Sequence, residues 1–234
     1  MKKGLLSIFL FVFTVFLAFA QNENDFEIEQ NRQGKITIKG YTGIVTDVVI
    51  PTKISGIDVT EIATMAFNGR KRENLPSLTS VVIPNSVIKI GETAFRFNVI
   101  TRVTLGSNVE IIDRTAFANN KITNVTLPNK LKVIEEGVFS SNRLENITIP
   151  NSAIAIRNAA FDDNPLKSVS IGAGVKDISP RAFGENNPIT SITIGNNVNI
   201  NKYSGLEEGF INFYISQNKR EGKYEKTGSL WKRQ

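Results

Sequence analysis

The chain has 234 residues, 41% hydrophobic and 21% charged, with a formal net charge of +6, an ordinary composition that can build one sizeable core. It contains no cysteine and no histidine. Disulfides, thiol nucleophiles, imidazole bases, the usual Cys/His zinc sites and a lipid-modified cysteine are therefore excluded together.

In chain order, residues 1–20 read as an export signal. Lys2 and Lys3 open it, the run from Leu5 to Ala20 is almost wholly apolar, and Ala18-Phe19-Ala20 fits the small-x-small cleavage rule before the polar Gln21–Asp25. Cleavage after Ala20 is expected. An uncleaved anchor is the alternative, although the run is short for a span of ~20 residues. No membrane insertion is expected of the remaining chain. Without Lys2 and Lys3 the charge falls to +4. The stretch 216–234 holds six basic residues against two acidic ones, so the body between is neutral. A basic excess confined to one tail reads as a solvated cap and argues against nucleic acid as a partner.

Residues 21–44 read as an N-terminal cap. Phe26 and Ile28, the turn Asn31–Gly34, then Ile36 and Ile38 give the alternation of a hairpin.

Residues 45–205 carry a repeat. Phe95, Phe117, Phe139, Phe161 and Phe183 stand 22 apart, and Phe67 precedes them with six extra residues in the Arg70–Pro76 region. The columns Val81, Val103, Val125, Ile147, Val169 and Ile83, Leu105, Leu127, Ile149, Ile171 keep the same step. A one-residue insertion moves both to Ile192 and Ile194. Further columns lie five residues before each Phe (Ile62 to Ile178), eight before it (Val59 to Val175), and three after it (Asn98, Asn120, Asn142, Asn164, Asn186). Within a unit, alternation through Val103 and Leu105 gives a short half-buried strand, and Pro84, Gly106, Pro128, Pro150, Gly172 or Gly195 ends it. One unit buries almost nothing alone. Stacked units pair strands at ~4.8 Å and turn the columns into ribs of Val, Ile and Phe. The phenylalanines are expected to stack, and the asparagines to satisfy turn backbone groups in a ladder.

Residues 206–234 read as a C-terminal cap and basic tail. Leu206 falls where a further Phe is expected, and Phe213, Ile215, Tyr224, Leu230 and Trp231 read as short antiparallel strands closing the end.

The unit Leu78-Thr-Ser-Val81-Val-Ile83-Pro-Asn-Ser-Val87-Ile-Lys-Ile90-Gly-Glu-Thr-Ala94-Phe95 resembles the leucine-rich repeat of the BspA-like surface-protein family, over about residues 41–215. The resemblance implies a leucine-rich-repeat solenoid, an extracellular or surface location, and adhesion or partner binding without catalytic residues. The sequence departs from the general leucine-rich-repeat pattern three residues after the second strand column. There it reads Ser86, Asn108, Lys130, Ser152, Gly174 and Asn197, so the Asn column after Phe is expected to take over the usual ladder. A parallel β-helix is the alternative architecture.

The outward strand positions form the candidate binding face: Ser80 and Val82, Arg102 and Thr104, Asn124 and Thr126, Asn146 and Thr148, Ser168 and Ser170, Ser191 and Thr193. They offer hydroxyls and amides but no aromatic anchor. Equally, Ser and Thr are simply good solvent-facing strand residues. Asn124-Val-Thr126 and Asn146-Ile-Thr148 match glycosylation acceptors but lie in strand columns and read as incidental. The acidic pairs Glu135-Glu136, Asp162-Asp163 and Glu207-Glu208 show no convergent spacing, so no catalytic, cofactor or metal site is expected. The expectation is an exported, adhesin-like monomer contacting a protein or glycan through the outward strands. A periplasmic or envelope structural protein is the alternative.

Overall fold

The computed structural model describes residues 22–184 and 187–234. The leader expected over residues 1–20, and Asn186, lie outside the described residues. The chain winds as a β-solenoid whose successive coils carry Phe67, Phe95, Phe117, Phe139, Phe161 and Phe183, and Leu206 is buried in the coil that follows. The phenylalanines stack with centroids 4.9–6.0 Å apart and planes within 14° of parallel. Each is at most 1% exposed.

Every coil has three sides. One holds the strands seen in the sequence, paired in parallel: Asp47–Val49, Ser80–Val82 and Arg102–Thr104, then Asn146–Ile149, Ser168–Ile171 and Ser191–Ile194. A second parallel ladder, which the strand columns did not disclose, starts from a six-residue strand and continues with two-residue strands around the isoleucine five before Phe. It runs Ile57–Ile62, Lys89–Ile90, Ile111–Ile112, and separately Val133–Ile134, Ala155–Ile156, Asp177–Ile178, Asn199–Ile200. The third side is the Phe turn. It places the residue two before each Phe in the left-handed region: Met65, Thr93, Thr115, Gly137, Ala159 and Arg181 have φ of 51–59°.

Adjacent coils touch so closely that a side chain is excluded at some turns. A Cβ on Gly106 would lie 2.3 Å from the Pro84 carbonyl oxygen.

The two ends close on different ladders. At the start, β1 (Phe26–Gln30) pairs antiparallel with β2 (Ile36–Tyr41), which runs parallel to Ile57–Ile62 of the second ladder. Tyr41 extends the ring column, 5.7 Å from Phe67. The insertion at residues 70–76 is fastened there by the buried Arg72, which donates to the carbonyls of Tyr41, Gly43 and Pro76. Burial holds its guanidinium pKa below the usual value.

At the other end, Gly222–Thr227 pairs antiparallel with Ser191–Ile194 of the first ladder, and Leu230–Arg233 pairs with Gly222–Thr227. The reading of Phe213 and Ile215 as strand is corrected: Glu208–Ser216 is a helix, α1. Phe210, Ile211 and Tyr214 lie at helical spacing and are buried, whereas Ile215 is exposed. Phe210, Tyr224 and Trp231 pack edge to face beneath it.

Candidate binding face

Local alternation places the outward residues of the first ladder in register. Ser80 is opposite Arg102 and Val82 opposite Thr104; Asn146, Ser168 and Ser191 form one row, and Thr148, Ser170 and Thr193 the next. Val82, Arg102, Thr104, Asn124, Thr126, Asn146, Thr148 and Thr193 are exposed; Ser80, Ser168, Ser170 and Ser191 are half-buried. Part of the face is already bonded to itself. The Ser168 hydroxyl donates to Asn146 Oδ1 at 2.6 Å, and Ser80 and Thr79 donate to Asp47 Oδ1 at 2.5 and 2.8 Å. The Ser80 bond, then the Thr79 bond, holds the Asp47 carboxyl below the ordinary range, helped by the charge of Arg102.

The structure alters the expected face in two ways. First, the field is not unbroken. At Asn124–Leu127 only a single bridge, Arg102 to Asn124, joins the neighbouring strand, so Thr126 belongs to no ladder. Second, the face is larger. The C-terminal hairpin continues it, with Glu225 opposite Ser191 and Lys223 opposite Thr193. The alternation Lys223-Tyr224-Glu225, with Tyr224 fully buried, was the signal; a basic composition hid it. A shallow groove of about 570 Å³ runs along the foot of these strands, past Thr148, Ser170, Thr193, Asn151 and Lys223.

The Asn column is structural. Asn142 donates from Nδ2 to the carbonyls of Phe117 and Phe139 at 3.0 and 3.1 Å and accepts from the Ile122 N–H at 3.0 Å. Asn98, Asn120 and Asn164 repeat this pattern. In the Phe183 coil Asn187 Oδ1 takes the Leu166 N–H at 3.1 Å.

The acidic pairs do not converge. Glu136 faces Arg114, Asp162 holds Arg181 at 2.7 Å, and Glu207 binds Lys226 and the Trp231 indole. The Lys226 bond chiefly holds the Glu207 carboxyl below its usual range. Among the described residues no helix is long and apolar enough to cross a membrane.

The model of the BspA type leucine rich repeat region, in six copies, matches residues 60–190 and 110–218. The chain belongs to the BspA-type leucine-rich-repeat family. No curated protein matches it. Among solved structures it is similar to a leucine rich repeat protein of T. pallidum, at 25% identity and a TM-score of 0.66, over 85% of this chain and 95% of that one. It is also similar to a leucine rich cell surface protein of Faecalibacterium prausnitzii, at 23% identity and a TM-score of 0.57, over 90% of this chain and 59% of that one. A third is a pneumococcal vaccine antigen, at 22% identity and a TM-score of 0.57, over 76% of this chain and 48% of that one. The last two likenesses are of fold alone.

Proposed function

We propose that this BspA-type solenoid is an exported, surface-exposed binding protein that holds a protein or glycan through its outward strand face. One observation carries the reading: the outward side chains of the first ladder stand in register across coils and continue onto the C-terminal hairpin, so one partner can touch several coils together. Membership of the family supports it, and so does the name of the F. prausnitzii protein as a cell surface protein. The leader read at residues 1–20 supports export.

Each contact on such a face contributes little, so single substitutions should be nearly silent. A partner is first captured from matrix proteins, glycans and cell-envelope fractions. Thr104→Lys, Thr126→Lys and Thr148→Lys together should abolish its binding while circular dichroism stays that of the parent. The turn variant Glu92→Lys, Glu136→Lys, Asp163→Lys should still bind. The opposite pattern would place the contact on the turn side and refute this reading. Protease accessibility on intact cells separates a surface protein from an envelope component, and mass spectrometry should find Gln21, or its cyclised form, at the N-terminus.

A further inference from the structure

The body of the solenoid is neutral in sum, but its charges are not spread evenly. Several cations meet an acid of a neighbouring coil: Lys89 with Asp113, Lys130 with Glu110, Arg114 with Glu136, Lys167 with Glu145 and Arg181 with Asp162. The corner between the Phe turn and the first ladder differs in the coils of Phe67, Phe95, Phe117 and Phe139. It carries Arg70 and Lys71, then Arg96, then Lys121, then Arg143. None of these is in an ion pair among the described residues. All are exposed except Arg96, which is half-buried. The acids of the same segments are Glu73 and Glu145, and Lys167 already holds Glu145 at 2.8 Å.

Specific contacts join these cations into one row. The guanidinium carbons of Arg70 and Arg96 lie 3.7 and 4.3 Å from the centre of the Phe97 ring. Arg96 Nε donates to Asn119 Oδ1 at 3.0 Å, which leads to the next coil, two residues before Lys121. Lys121 and Arg143 then stand one coil apart, because their N–H groups donate to the carbonyls of Ile100 and Ile122, both at 2.9 Å. Further along, Asp162 takes the place of Arg96, Ser141 and Asp163 that of Phe97, and Pro165 that of Lys121. These four line one concavity of about 620 Å³, so the positions share a surface.

Phe97 is the exception that this corner explains. Its φ of 62° lies in the left-handed region, where the following coils place Asn119, Ser141 and Asp163 at 56°, 52° and 54°. A bulky side chain is disfavoured there and marks a place where strain serves a purpose. Burial does not repay it, since Phe97 is half-buried and stands outside the ring column. Its ring instead holds two guanidinium groups. A ring face fixes a guanidinium without neutralising it, and leaves N–H donors free for another acceptor. The insertion that supplies Arg70 is itself fastened by the buried Arg72.

We propose that this corner binds a linear acidic polysaccharide along the solenoid axis. The site adjoins the outward strands but uses none of their side chains, so it does not rest on the outward-face reading. The row selects the occupant. Its cations advance by one coil, ~4.8 Å, whereas same-side carboxylates of an extended peptide come every second residue, ~6.6 Å, and fall out of step. The corner also lacks the apolar anchor of a peptide contact, because guanidinium groups occupy the Phe97 ring. A polysaccharide hangs its acidic groups from successive sugar rings and can meet one coil after another through forked guanidinium bonds.

The test uses the whole chain and a fluorescent heparin octasaccharide, followed by anisotropy at low salt. Saturable binding is expected. Arg70→Gln, Arg96→Gln, Lys121→Gln and Arg143→Gln together should weaken it at least about tenfold and lower the slope of log affinity against log salt by about 3, as loss of four ionic contacts implies. Lys202→Gln, Lys219→Gln, Arg220→Gln and Lys232→Gln, which remove the same charge elsewhere, should stay within about twofold of the parent. Asp163→Lys, which lengthens the row, should tighten binding. If the arginine changes disturb the Phe97 turn, the exposed pair Lys121→Gln and Arg143→Gln gives the same test. No saturable binding, equal losses in the two charge variants, or equal binding of a polyglutamate chain would each overturn the proposal. The lysine variant of the outward face should still bind the octasaccharide; loss there would place the probe on the strands and overturn it too.

Discussion

The Phe turn side and the strand side of this solenoid are built from the same repeats, yet one is continuous and the other is broken. Along the turns, six phenylalanines stack without a gap, and at the Phe117–Phe139 boundary the rings are 5.4 Å apart and nearly parallel. Along the strands, both ladders part at that same boundary. The difference lies in what holds each side. The turn side is held by side chains whose bonds do not depend on strand register: a buried ring and a buried Asn that ties three main-chain groups. The strand side relies chiefly on main-chain bonds that need strand register, with a few exposed side-chain bonds such as Ser168 to Asn146. Coil stacking is therefore dictated from the Phe side, and the strand side is free to vary.

Substitutions can break this comparison, and the largest effect belongs to the ring column. Phe139→Ala should cost about 3–5 kcal/mol, the usual range for a fully buried Phe, read as a lowered urea midpoint. An unchanged midpoint would mean that the column does not hold the stack. Next is Asn142→Ala, which leaves the buried Ile122 N–H without its acceptor, while the Phe117 and Phe139 carbonyls keep the amides of Asn120 and Asn164. At about 1–3 kcal/mol for one buried group left unsatisfied, a loss in that range is expected by the same assay.

A third comparison sharpens the contrast within one column. Val169→Thr buries a hydroxyl with no partner and should cost about 1–3 kcal/mol. Val103→Thr, at the parting, should cost clearly less because water reaches it. Equal costs would mean that the parting is closed in solution.

The smallest effect concerns the C-terminal cap. The Glu207 carboxyl is held below its usual range by Lys226 and Trp231, so its contribution is full above the unfolded-state pKa and is lost as pH falls through the depressed folded value. Acidification should loosen the hairpin, seen as a change in the fluorescence of Trp231. Glu207→Gln should remove that acid-dependent step. A step that persists in Glu207→Gln would assign it to another group.

The side-chain columns were legible in the sequence because burial repeats a residue type: Phe, the preceding Ala, Ile, Val and Asn recur at one spacing, and both the ring stack and the Asn ladder follow from them. The second ladder was not legible. Its two-residue strands, such as Lys89–Ile90 and Val133–Ile134, are too short to alternate. The cap helix was misread because Phe213 and Ile215 stand two apart, while the buried set Phe210, Ile211 and Tyr214 follows helical spacing. The outward rows could be located but not shown to bind, since Thr and Ser serve a solvated strand equally well. The parting at Asn124–Leu127 was hidden because Val125 and Leu127 keep the columns unbroken; only the main chain departs.

Amide hydrogen exchange of the free protein addresses the asymmetry most directly. Ile83, Leu105 and Leu127 occupy one column, and Phe117 marks the turn side of the parted boundary. The amides of Leu105 and Leu127 should exchange roughly a hundredfold faster than those of Ile83 and Phe117, whose N–H groups are bonded to the next coil at 2.9 and 3.0 Å. Equal protection at all four would show that the strand side is as firmly closed as the turn side and would contradict the account.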